Sequence, residues 1–208
     1  MATPIFVCQF HFLIYPLMME ERELIDAIRK KDEKAFRTLM QQYDTMAGRV
    51  IHRITSDKDE TRDLVQEVFI TVWEKIDNFR EDASVSTWIY RLSVNKALNH
   101  LRWKKLRNSL RLTDRKTEEK LKSSPIRTNN DAPGKMEREE DENVLSKALS
   151  LIPANQRAAF ILSKGEGLSN PEIAAILHIS ISAVESLNFR AKQSLSKILF
   201  SYYNDKFN

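Results

Sequence analysis

The segment from Asp59 to Ile76 constrains the fold more than any other part of the chain, because its apolar residues recur every fourth position. Side chains at this spacing, with their neighbours, form one wide stripe along an α-helix. The stripe consists of Leu64, Val65, Val68, Phe69, Val72, Trp73 and Ile76. A stripe this wide must be covered by other elements, so the sequence predicts a helix packed hard against its neighbours.

Helical spacing of apolar residues continues on both sides of this segment. Three helices are predicted before it, around residues 24–28, 36–43 and 50–54, and a long helix from Ser86 to Arg107 follows after a loop at 77–84. The chain has only 4 Gly and 6 Pro in 208 residues. That composition favours an all-α protein.

The helical pattern fails between residues 108 and 140, where polar residues and Pro dominate, and a flexible linker is predicted there. The pattern resumes at 144–152, and a helix is predicted from Pro153 to Lys164.

A capping box at Ser169 and Glu172, with Pro171 in the first turn, predicts a short helix to about residue 178. A tight turn then leads into a longer helix at about 182–200, which makes a helix-turn-helix. The predicted architecture is therefore two small helical domains, 19–107 and 141–204, joined by the linker 108–140.

Residues 1–18 differ from the rest, since 5–18 is almost wholly apolar with His11 as its only ionisable side chain. The run is too short to cross a membrane, and no Lys or Arg precedes it as in a signal peptide. We interpret it as the product of an upstream start codon, with Met18 or Met19 as the natural start. A genuine N-terminal anchor is the alternative, but membrane insertion of the chain is not expected.

Cysteine and histidine usage predicts neither a disulfide framework nor a metal site. Cys8 is the only cysteine, and the four histidines, His11, His52, His100 and His178, lack metal-ligand spacing. We infer a reducing cytoplasm, no metal and no cofactor.

Charge is segregated along the first predicted domain. Between Asp57 and Asp77 seven acids stand against three bases, whereas no acid occurs between Ala83 and Thr113. The basic side chains of that second stretch are Arg91, Lys96, Arg102, Lys104, Lys105, Arg107 and Arg111, interleaved with Trp88, Tyr90 and Trp103. Cations neutralise phosphates and aromatic faces hold unstacked bases, so this pattern favours a nucleic-acid surface over a merely solvated face.

Two groups of motifs resemble the second and fourth conserved regions of bacterial sigma factors. The first comprises Asp63-Leu64-Val65-Gln66-Glu67-Val68-Phe69, Trp73, Phe79-Arg80 and Thr87 to Asn95; the second comprises Leu151-Ile152-Pro153, Gln156-Arg157, Gly167-Leu168-Ser169, Glu172-Ile173-Ala174 and Ser182 to Ser186. Their order, and a linker too short for a third region, resemble the extracytoplasmic-function class. The resemblance implies a transcription initiation factor that carries core RNA polymerase to promoters.

The resemblance implies a polymerase-docking face on the first motif helix. Its residues are Asp63, Gln66, Glu67, Ile70 and Glu74, on the side away from the apolar stripe. A face that serves solubility alone is the alternative.

The resemblance also implies that the following loop and long helix capture flipped bases of the melted minus-10 element. The residues implied are Phe79, Arg80, Asp82, Ser84, Trp88, Tyr90, Arg91, Asn95, Lys96, Asn99 and Arg102. For Trp88 and Tyr90 a role in the core remains open as the alternative.

In the second domain the resemblance implies a major-groove reader of the minus-35 element. The residues implied are Ser182, Glu185, Ser186, Phe189 and Arg190, with Arg157 and Lys192 on phosphates. Glu185 and Leu187 stand where basic residues are usual, which implies a different element or weaker binding. A capping box between Ser182 and Glu185 is the alternative role for that glutamate.

The family also implies an anti-sigma factor as a further partner. Two alternative functions explain the sequence less well. An ordinary helix-turn-helix regulator would explain the second domain only. An enzyme acting on nucleic acid would need a phosphate-binding loop, a set of metal ligands or a nucleophile with a base, and the sequence presents none of these. Asp63 and Glu67 do not supply a metal site, because they lie on a packed helix.

Overall fold

A computed structural model describes residues 21–79, 84–114 and 144–207, and these ranges contain helices and no β-strand. The helices are α1 (Glu21–Arg29), α2 (Glu33–Thr55), α3 (Lys58–Lys75), a 3-10 turn (Ile76–Asn78), α4 (Val85–Asp114), α5 (144–151), α6 (Ala154–Phe160) with a π-helical turn (Ile161–Gly165), α7 (Asn170–Leu177) and α8 (Ile181–Phe207). The predicted all-α fold is confirmed. The leader 1–18 and most of the linker lie outside the described residues.

Two helices, and not the three predicted, precede the apolar stripe of α3. Asp32 caps α2 by accepting from the backbone N–H of Lys34 at 2.8 Å, and α2 then runs unbroken for 23 residues. The polar residues at 44–49, which were interpreted as a break between two helices, lie on the exposed side of α2. Ser56, with a φ of 57°, ends α2, and the Asp57 side chain accepts from the N–H of Glu60 to start α3.

The predicted end of the long helix at Arg107 was wrong, whereas the helix predicted to end at Lys164 remains helical to Gly165. Helix α4 continues past Arg107 to Asp114, because no Gly or Pro interrupts 85–114 although residues 102–110 are exposed and carry no buried stripe. After Phe160 the backbone of the predicted helix widens into the π-helical turn.

The helix-turn-helix forms as predicted. Glu172 Oε2 accepts from the backbone N–H of Ser169 at 2.8 Å and from its hydroxyl at 2.6 Å. The Ser169 hydroxyl is the main cause that holds the pKa of Glu172 below its usual value. His178 closes α7 in the left-handed region, with a φ of 55°, and turns the chain into α8.

The two domains share one apolar core. Buried residues of α2, α3 and α4 are continuous with Ala158, Leu162, Ile173 and Ile176 of the second domain. A smaller cluster, built on Leu149, Ile152 and Leu195, holds α5, α6 and α8 together. The second domain therefore sits directly on α2 and α4 of the first.

Candidate functional site

The outer face of α3 is open to solvent. All five predicted docking residues are exposed there, and the apolar Ile70 is 56% exposed at the centre of the face. Of these five, Glu67 accepts a hydrogen bond from Lys96 Nζ of α4 at 2.9 Å. An exposed isoleucine ringed by acidic and amide side chains is a surface suited to a protein partner.

The loop before α4 is only partly described, since Arg80 and Asp82 lie outside the described residues. Phe79 is buried, and its ring packs on Trp88 with centroids 5.0 Å apart. Ser84 is exposed, and its hydroxyl accepts from the N–H of Thr87 at the start of α4. Phe79 and Trp88 thus contribute to the core in this conformation.

The predicted strand-binding residues divide along α4. Asn95, Asn99 and Arg102 are exposed, and Arg102 donates to the Asn99 side chain at 2.8 Å. Nearer the start of α4, Arg91 donates from Nη2 to the backbone carbonyl of Ala175 in the second domain at 3.0 Å. Arg91, in the first half of α4, is therefore engaged by the second domain.

A buried carboxylate joins the two domains. The side chain of Glu166, in the turn before α7, is 1% exposed and meets Arg49 Nε at 2.9 Å and Arg49 Nη2 at 2.6 Å. Arg53 Nη1 donates to the same carboxylate at 3.1 Å, as does the Tyr90 hydroxyl. Both arginines lie on α2, one turn apart.

Electrostatics at this cluster follow from its burial and its charges. Desolvation first, then the charge of Glu166, raises the pKa of Tyr90 to about 12. The hydrogen bond from Arg49 to Glu166 raises the pKa of that guanidinium. The cluster is therefore a charged, hydrogen-bonded contact in which Tyr90 stays a donor at neutral pH.

Arg157, predicted to contact DNA phosphates, is a buried residue here. It is 6% exposed and donates to the carbonyls of Ile54 at 2.6 Å and Ser150 at 2.8 Å. Ile54 lies at the C-terminal end of α2, where the helix dipole favours a cation. Burial lowers the pKa of Arg157, and this arrangement gives its guanidinium no access to a phosphate.

The exposed face of α8 carries the other predicted minus-35 residues. Ser182, Glu185, Ser186, Phe189, Arg190 and Lys192 are all exposed. Ser180 caps the helix by accepting from the N–H of Ala183, so the alternative capping box of Ser182 with Glu185 is wrong. Glu185 instead lines a groove of about 330 Å³ together with Phe189 and Lys192.

The sequence interpretation missed Arg49, Arg53 and Glu166. Two arginines at a spacing of four residues on a helix are common, and nothing local distinguishes these. The only sign at Glu166 is its position between Gly165 and Gly167, which indicates a tight turn. A Cβ on Gly165 would lie 2.7 Å from Arg53 Nη1, so an alanine there would make that guanidinium shift.

Among residues 21–79, 84–114 and 144–207, no group of three His, Cys, Asp or Glu side chains is placed to hold a metal ion. Within the same ranges, no single helix is both long and apolar enough to cross a membrane.

Comparison with known proteins finds two family matches, sigma-70 region 2 over residues 39–107 and sigma-70 region 4 over residues 142–195. The chain is 30% identical over 178 residues to the ECF RNA polymerase sigma-E factor of Escherichia coli K12, covering 85% of this chain and 93% of that protein. It is 29% identical over 181 residues to the RNA polymerase sigma-H factor of Pseudomonas aeruginosa PAO1, covering 86% and 94%.

Two solved structures share the fold. CnrH, in complex with the cytosolic domain of CnrY, matches with a TM-score of 0.63 and 23% identity, over 87% of this chain and 97% of that one. RpoE of Bartonella quintana, in complex with the anti-sigma factor NepR, matches with a TM-score of 0.59 and 23% identity, over 80% and 97%.

Proposed function

This chain belongs to the extracytoplasmic-function class of the sigma-70 family, and from that premise we propose which of its surfaces binds polymerase and which bind promoter DNA. Its relatives are transcription initiation factors, and this chain directs core RNA polymerase to promoters. An independent helix-turn-helix regulator, the alternative, is not favoured, because the matched regions include the whole of α3 and most of α4 as well as the helix-turn-helix.

The observation that carries the proposal is the open outer face of α3. Asp63, Gln66, Ile70 and Glu74 are exposed on one side of a helix whose other side is buried. Such a face can dock on a rigid partner without any rearrangement of this chain. We assign to it the contact with core polymerase.

The melted minus-10 strand is assigned to the loop before α4 and to the basic side of α4. Lys and Arg would neutralise its phosphates, and exposed Asn95 and Asn99 would read base edges. The duplex minus-35 element is assigned to α8 through Glu185, Ser186, Phe189 and Arg190. Arg157 is left out of this set because its guanidinium is buried.

The same assignment implies the remaining partners and the place of action. An anti-sigma factor is a proposed partner, since the related RpoE of Bartonella quintana is solved in complex with one. The chain would act in the cytoplasm, where its polymerase and promoters are, and it would make no covalent bond itself. Its contribution is the free energy of its binding to polymerase and to two DNA elements.

The test is co-purification of the chain with core polymerase, followed by run-off transcription over a promoter library. We expect a stoichiometric holoenzyme and transcripts that start from a shared pair of elements. Specific duplex binding by the free chain, with no polymerase association and no transcripts, would reject the assignment in favour of the regulator.

A further inference from the structure

The contact between the two domains contains a small anion-binding site of its own. Arg49, Arg53 and the hydroxyl of Tyr90 all belong to the first domain, and all three donate to the one carboxylate of Glu166. We call these three donors the cradle. Because α2 and α4 pack on each other within the first domain, the backbone positions of the three donors do not depend on the second domain.

The cradle can lose Glu166 without a large penalty to the first domain. The side chains of Arg49 and Arg53 are each 43% exposed even in the closed arrangement, so water already solvates part of each guanidinium. Glu166, at 1% exposed, is the member whose surroundings change most when the domains separate. Separation would therefore leave two adjacent cations and a phenol hydroxyl facing solvent.

The geometry suits a phosphate as well as a carboxylate. Arginine presents a planar set of donors that matches the oxygens of either anion, and Arg49 already binds Glu166 through two nitrogens. Tyr90 and the neighbouring Arg91 stand on α4, among the residues assigned to the melted strand. In the closed arrangement Arg91 is also engaged by the second domain, through the carbonyl of Ala175.

We propose that the cradle of Arg49, Arg53 and Tyr90 is a phosphate site for the melted promoter strand. While the two domains are closed, that is, packed on each other as in this structure, Glu166 occupies the site and competes with the phosphate. This rests on the proposed function and adds regulation to it. Strand and second domain compete for the same donors, so a free chain binds single strands weakly. Whatever moves the second domain away, such as polymerase docking, would make the site available.

The test measures binding of the purified full chain to a fluorescent oligo-deoxythymidine strand by anisotropy, over a range of salt concentrations. Glu166→Gln keeps the shape of the side chain and removes its charge, so closure weakens. If the closed form holds most of the wild-type chain, the apparent affinity should rise about tenfold. Asp44→Asn is the matched control, because it removes one negative charge from an exposed position on α2.

The cradle itself is tested in the Glu166→Gln background. Arg49→Met and Arg53→Met should each lower the affinity and reduce the slope of log affinity against log salt by roughly 0.7 if a phosphate contact is lost. Equal affinities for Glu166→Gln and Asp44→Asn, or slopes unchanged by both arginine substitutions, would overturn the proposal.

A second variant covers the possibility that Glu166→Gln unfolds, which circular dichroism would show. Gly165→Ala adds a Cβ that would lie 2.7 Å from Arg53 Nη1, so this guanidinium must shift away from Gly165, which weakens the closed contact while all three donor residues remain in the chain. It should raise strand affinity in the same direction by a smaller factor, and an affinity equal to wild type would count against the cradle. Holoenzyme formation is measured in parallel. Its failure in the wild type would reject the proposed function, whereas normal holoenzyme with no effect of either variant on strand affinity would reject the cradle alone.

Discussion

The outer face of α3 and the basic face of α4 belong to the same domain, yet they differ in what already occupies them. On α3 the predicted docking residues are exposed, with one cross-helix ion pair at Glu67. On α4 the first half carries Tyr90 and Arg91, and both donate hydrogen bonds to the second domain. From this difference we propose an order of events, in which polymerase docks on the α3 face as it stands, whereas the melted strand reaches Tyr90 and Arg91 only after the second domain has moved.

The largest expected effect is on the α3 face. Asp63→Lys combined with Glu67→Lys should weaken binding to core polymerase by at least about a hundredfold, because like charges brought together at an interface cost several kcal/mol. Both residues are exposed, so the helical fold should remain. Analytical size exclusion with core polymerase measures the loss, and circular dichroism checks the fold.

The matched control for this change is Glu33→Lys with Asp44→Lys, which alters net charge equally at exposed positions of α2. It should leave holoenzyme formation close to wild type. If the control loses binding as much as the α3 variant, then total charge, and not the α3 face, determines docking.

The next largest effect is on stability and concerns Arg157. Arg157→Met removes the donors to the carbonyls of Ile54 and Ser150, and should lower the free energy of unfolding by about 2 to 4 kcal/mol. The matched control is Arg190→Met on the exposed face of α8, expected to change stability by less than about 0.5 kcal/mol. Urea unfolding followed by circular dichroism compares the two. A change at Arg157 as small as at Arg190 would mean that the closed arrangement is little populated in solution.

The sequence predicts elements that depend on local patterns and misses contacts between residues far apart in the chain. The stripe of α3 and the capping box of α7 are local patterns, and both elements formed where those patterns placed them. The continuity of α2 was missed because polar residues at 44–49 resemble a loop when their exposed helical side is unknown. The burial of Arg157 was missed because its partner Ile54 lies 103 positions away, and the cradle because Glu166 lies 117 positions from Arg49.

A smaller effect should separate the two halves of α4. Trp103 is 63% exposed on the second half of α4, whereas Trp88, on the first half, packs on Phe79. If Trp103 stacks on a base, Trp103→Ala should weaken binding to a single-stranded oligonucleotide by about tenfold, in line with roughly 1–3 kcal/mol per stacked base. Its free energy of unfolding should change by less than about 0.5 kcal/mol.

Trp88→Ala is the comparison for that variant, and it should lower stability by more than about 2 kcal/mol through lost packing. Oligonucleotide anisotropy and urea unfolding on both variants give the four values needed. Strand binding that depends on Trp88 alone, at unchanged stability, would reverse the assignment of the two tryptophans.

The smallest expected effect is on the pH dependence of closure. The pKa of Tyr90 is raised to about 12 from an ordinary value of 10.0, so between these values the closed form retains a proton that the open or unfolded chain gives up. The contribution of Tyr90 to the free energy of unfolding is therefore complete below about pH 10 and is lost as the pH rises towards about 12. Tyr90→Phe should flatten the decline in unfolding free energy between pH 9.5 and 11.5, measured by urea titration at each pH. The pKa of Tyr43 is also raised, by burial and then by Glu21, and because Tyr43 is present in both proteins its contribution cancels in the comparison. Identical slopes in the two proteins would show that the Tyr90 hydroxyl is not held by Glu166, which would leave Arg91 as the residue of this half of α4 that donates a hydrogen bond to the second domain.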